Sequence, residues 1–133
     1  MPDARRINLS VDTTGFSAST ITKVSDALKT WQNGAENLWV VNARYNIWKR
    51  DASKALMAGQ LSDGTKLLGE DAYKKALIYH NFKPVEANKV VKKVKNAFQE
   101  LNTIANGMSG DEKKLMKRFI TTAKGKYQMN LVS

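Results

Sequence analysis

The alternation of apolar and polar positions is sharpest between Pro84 and Ala105. At about 100° per residue, Ala87, Val91, Val94, Phe98, Leu101 and Ala105 fall on one line, with Val90 beside it. Lys89, Lys92 and Lys93 fall on the opposite side, and Lys95 sits at the boundary. Asn96, Gln99, Asn102 and Thr103 complete that polar side with hydrogen-bonding groups. Pro84 suits the first turn, Glu86 complements the positive helix end and Gly107 suits the stop. The pattern predicts a helix with one face built to pack and another suited to negative charge.

Other segments carry the same period. Residues 17–32 place Ile21, Val24, Leu28 and Trp31 on one stripe, with Ser17, Ser19 and Thr20 as caps and Asn33-Gly34 as the break. Residues 35–58, stopped by Gly59, show two apolar sets. Leu38, Val41, Tyr45, Trp48, Ala52 and Ala55 form one; Trp39, Val40, Ala43, Ile47 and Met57 form the other. A helix packed on one side needs only the first set. The second implies burial on both sides or contact with another chain. A short helix over 71–80 packs through Ala72, Ala76, Leu77 and Tyr79. The last helix opens on a Ser109/Glu112 capping box, packs through Leu115, Met116, Phe119, Ile120 and Ala123, and stops at Gly125.

The two ends read differently. Ile7, Leu9 and Val11 alternate with polar residues in an arm over 1–16, and Tyr127, Met129 and Leu131 alternate in a tail over 126–133. A lone strand is unstable in water, so the arm must lie on something, such as a second copy. The expected fold is all-α: a bundle of four to five helices with an extended N-terminal arm. Its parts are the arm 1–16, a helix pair 17–58 suited to assembly and nucleic-acid contact, and a basic helical bundle and tail 59–133. Trp31, Trp48, Val94, Phe98, Leu101, Phe119 and Ile120 form the expected core.

Charge sharpens this picture. The 133 residues carry 22 Lys and Arg against 12 Asp and Glu, a net charge of +10. Residues 1–66 hold nine basic and six acidic groups, so most of the excess lies in the second half. A surplus of this size points to a polyanion. Lys89, Lys92, Lys93 and Lys95 on one helix, and Lys113, Lys114, Lys117 and Arg118 on the next, form a strip that matches a phosphate backbone. Arg44, Lys49, Arg50 and Lys54 are interleaved with aromatic residues in the 35–58 helix, a mixture that pairs with phosphates and stacks on sugars or bases. Ile7, Leu9, Val11, Trp39, Ile47 and Met57 are the candidate assembly residues.

Catalytic chemistry finds little to work with. Cysteine is absent, which excludes disulfides, thiolate metal sites and cysteine nucleophiles. The single histidine, His80, sits in YHNFK and reads as a helix end. No His or carboxylate cluster has metal-ligand spacing, and DGTKLLGED lacks the Gly-Lys-Ser/Thr of a phosphate loop. The expectation is no enzyme, no cofactor and no metal. MPDARRINLS has no apolar run, so secretion by an ordinary signal peptide is not expected. Apolar runs such as LWVV are too short to span a bilayer. No base-reading motif is present, which favours binding without sequence specificity.

A cysteine-free, basic, all-helical chain of this size resembles the major coat proteins of filamentous archaeal viruses, of the rudivirus and lipothrixvirus type. The matching features are the arm 1–16, the helix pair 17–58 and the basic bundle 65–124. The resemblance implies many copies wrapping double-stranded DNA in a virion, as a homo-oligomer or polymer, alone or with a paralogous subunit. It assigns no role to any single residue. The expected function is therefore a self-assembling structural protein on the phosphate backbone. Two alternatives stay open: a basic accessory protein that binds nucleic acid without assembling, located in the cytoplasm, or a module for an acidic protein or membrane surface.

Overall fold

A computed structural model of the chain describes residues 11–32 and 43–128, with only the backbone of 32 and 43–46. The fold is all-α. Five helices follow in order among the described residues: α1 (Ala18–Gln32), α2 (Ala43–Ala58), α3 (Ala72–Tyr79), α4 (Pro84–Asn106) and α5 (Gly110–Tyr127). Most of the arm, the Asn33-Gly34 break with the 35–42 part of the expected long helix, and the end of the tail lie outside the described residues, and with them Ile7, Leu9 and Trp39.

Helix α4 organises the rest. Ala87, Val90, Val94, Ala97, Phe98, Leu101, Asn102 and Ala105 are buried along it. The packing face runs through Val90 and Ala97 as well as the expected line, and Val91 is only half-buried. Its first turn is closed by Glu86 Oε1, which accepts from the Lys83 N–H at 3.0 Å. A three-residue turn, 107–109, returns the chain into α5, and α1 packs against α5. Trp31 of α1 ties these three helices together. Its ring lies 5.4 Å from Phe98 and 6.2 Å from Phe119, and its Nε1–H donates to the Ala97 carbonyl at 2.7 Å. The bond removes the one polar atom that would make a buried tryptophan costly.

Aromatic contacts continue across the core. Phe98 meets Tyr127 at 5.7 Å, and Tyr127 meets Tyr73 of α3 at 5.1 Å. Tyr73 is completely buried, whereas Tyr79, expected to pack, is exposed and shares a 2.8 Å hydrogen bond with Ser62. Tyr127 corrects the reading of the tail: α5 runs through Gly125 and places Tyr127 inside. A mid-helix glycine weakens a helix but does not stop it when burial of the next turn compensates. The expected capping box at Ser109 is absent too; Glu112 pairs with Lys23 of α1 at 3.2 Å instead. At α1 the expectation holds, since the Thr20 N–H donates to Ser17 Oγ at 3.1 Å.

The loop between α2 and α3 is a tight reversal. Gly59 (φ 81°) ends α2, and Gln60 and Lys66 form an isolated antiparallel bridge. Gln128, left-handed at φ 50°, closes α5 and clamps this loop: its Oε1 accepts from the Gly69 N–H at 2.9 Å and its Nε2 donates to the Leu67 carbonyl at 2.7 Å. Leu67 is thereby buried while the adjacent Leu68 stays exposed.

Of the expected core, all but Trp48 are buried; Trp48 is half-buried, with its ring edge-on to Phe82 at 5.7 Å. The largest departure is in α2. Its buried face is Lys49, Ala52, Ser53 and Leu56, one position round from the Tyr45–Trp48–Ala52–Ala55 stripe.

Candidate nucleic-acid interface

The candidate cations fall into three groups. The first is removed from the surface. Lys49 is only 3% exposed, so it is not a phosphate contact as expected; burial lowers its pKa by disfavouring the charged form. Sequence periodicity pointed Lys49 outward because the true packing face of α2 is rotated towards it.

The second group is engaged within the chain. Lys117 Nζ donates to Asn102 Oδ1 at 2.7 Å, and Asn102, expected on the polar face, is buried. Arg118 is exposed but committed to the arm. Its Nη1 donates to the Asp12 carbonyl at 2.8 Å and its guanidinium lies 5.0 Å from the centre of the Phe16 ring. Thr14, through its side chain and its N–H, which donates to Asp12 Oδ1 at 2.9 Å, holds the Asp12 carboxyl below the usual range.

The third group faces outward on α4 and α5. Lys89, Lys92 and Lys114 are exposed, and Lys93, Lys95 and Lys113 are half-buried. None of the six forms an ion pair with a described residue. Lys95 shares a flank with Asn102, seven residues on, so it lies on the side that α5 occupies. Lys89 and Lys93 lie on the other flank. On α5, Lys113, Lys117 and Lys124 recur at four and seven residues and so line the flank facing Asn102. A concavity of about 410 Å³ lies against α4, lined among the described residues by Lys89, Val90, Lys92, Lys93 and Asn96. Arg50 and Lys54 are exposed on α2, with Arg50 3.8 Å from Asp51. The side chain of Arg44 lies outside the described residues.

The candidate assembly residues divide as well. Ile47 is 48% exposed, as a contact for another surface requires. Met57 is not available in that way: it is half-buried and packs on this chain's own core, as does Val11. Exposed Leu68, Ile78, Tyr79 and Val85 were not among the expected residues. Leu68 lies in an irregular loop, Ile78 and Tyr79 end the short α3, and Val85 sits in the first turn of α4 off its buried face. Among the described residues, no helix is long and apolar enough to cross a membrane.

No family model matches this sequence, and no curated protein or solved structure does either.

Proposed function

We propose that this chain is a structural nucleic-acid-binding protein that holds the phosphate backbone without sequence specificity, as a coat or nucleoprotein subunit packaging double-stranded DNA. The observation that carries this reading is the set of six lysines on α4 and α5 that meet no carboxylate among the described residues. Ammonium groups that no carboxylate offsets leave the outer side of these two helices positive, and a polyanion that binds there releases its own counterions. Four to six phosphate contacts correspond to a log–log salt slope of roughly −4 to −5 on duplex DNA. The test is fluorescence anisotropy of a labelled duplex over a range of salt. Changing Lys89, Lys92 and Lys93 to Gln flattens the slope by about 3 and weakens binding to all sequences alike. An unchanged slope moves the site to Arg50 and Lys54.

Assembly rests on Ile47. Replacing it with Glu abolishes sedimentation of large species while circular dichroism stays helical. The second reading, a basic accessory protein that binds without assembling, is favoured by Met57 and Val11, whose apolar surface is already used inside the chain. Duplex binding by a chain that sediments as a monomer selects it.

A further inference from the structure

The outermost line of α4 is not a row of charges. Lys92, Asn96, Gln99 and Thr103 follow at four, seven and eleven residues, directly opposite the fully buried Val94 and Leu101. They span about 16 Å of helix. Lys92, Gln99 and Thr103 are exposed and Asn96 is half-buried. Thr103 Oγ1 donates to the Gln99 carbonyl at 3.2 Å and keeps its lone pairs for another donor. The side-chain amides of Asn96 and Gln99 make no hydrogen bond to a described residue. Lys89 and Lys93 border this line on one flank, where half-buried Glu100 follows seven residues after Lys93, and Lys95 borders it on the flank that α5 occupies.

A face that met only phosphate would gain nothing from amides at its crest, because an ammonium group serves a polyanion better. Amides donate and accept in one plane and match the edges of bases. Cation, amide line and cation, read across the helix, follow the section of a duplex groove: phosphate, base edges, phosphate. A helix with its side chains is about 10–12 Å wide. The major groove of B-form DNA, about 12 Å across, admits such a helix, whereas the deep narrow major groove of A-form RNA does not.

We propose that α4 seats in the major groove of B-form duplex DNA. Asn96 and Gln99 face base edges, Lys89 and Lys93 hold one strand, and Lys95 with Lys113 holds the other. This rests on the reading of the lysine face as a phosphate contact, and it adds the groove, the helix and the preference for DNA. With two amides and one lysine on the crest, base preference is slight.

The test is anisotropy of the full chain on three duplexes of one sequence. These are unmodified DNA, DNA with every cytosine replaced by glucosylated 5-hydroxymethylcytosine, whose sugars fill the major groove, and duplex RNA. Affinity is expected to fall at least about tenfold on the glucosylated DNA and on the RNA, and to stay unchanged when distamycin occupies the minor groove. Changing Asn96 and Gln99 together to Ala weakens DNA binding severalfold with an unaltered salt slope, since no charge is lost. Equal affinity for plain and glucosylated DNA, with a slope that still flattens in the Lys89/Lys92/Lys93→Gln variant, overturns the groove seating and leaves the phosphate reading standing. No salt-dependent binding to any of the three duplexes overturns both.

Discussion

Helices α4 and α2 are built from similar material and fold by different logic. In α4 the apolar residues form one narrow stripe, and that stripe is what the chain buries: Val94, Phe98, Leu101 and Ala105 have no exposed surface. In α2 the apolar residues spread round the helix, and the buried face takes in a lysine and a serine at successive turns, Lys49 and Ser53. Ser53 lies beside the fully buried Tyr73 hydroxyl, so two polar side chains share this part of the core. A sharp stripe makes any rotation of the helix costly, because rotation exposes several large side chains at once. A diffuse one lets the neighbouring helices choose the face, even when the choice buries polar atoms.

The comparison can be broken most forcefully in α4. Phe98→Ala removes the ring that meets both Trp31 and Tyr127, and a loss of about 3–5 kcal/mol is expected in urea unfolding. A loss below about 1 kcal/mol there would put the organising core elsewhere. In α2 the readout is pH: Lys49→Met keeps length and removes a charge that burial disfavours. The pH dependence sharpens this. With the folded pKa of Lys49 below 10.5, the unfolded chain binds more protons across that window, so stability rises as pH climbs towards 10.5. The Met variant loses that rise, as stability measured from neutrality to about pH 10 would show. Above about 10 the buried Tyr73 acts oppositely, because burial and Tyr127 keep its phenol protonated after the unfolded chain has ionised.

Smaller effects separate joints from faces. Gln128→Ala removes both bonds to the 60–69 loop and costs about 1–2 kcal/mol; faster hydrogen exchange at the Gly69 amide reports it. Trp31→Phe keeps most of the ring packing and loses the bond to Ala97, about 1 kcal/mol. The smallest effect is expected on the outer face of α4, where Lys92→Gln changes stability by less than about 0.5 kcal/mol while weakening polyanion binding. A large stability change there would mean that the lysine face serves the fold rather than a partner.

The sequence by itself determined the all-helical class, the axis and inner face of α4, the inner side of α5 through Leu115, Met116, Phe119 and Ile120, and the outward lysines of α4. Each follows from periodicity over several turns, where many residues agree on one direction. Tertiary packing alone decided the rotation of α2 that buries Lys49, the extension of α5 past Gly125, and the exchange of Tyr79 for Tyr73 in the core. It also decided that Lys117 and Arg118 tie parts of the chain together. Outside α2, named contacts set these outcomes: Tyr127 against Tyr73, Lys117 on Asn102, Arg118 on Asp12 and Phe16. Such contacts join residues far apart in the chain, and local spacing carries no signal of them.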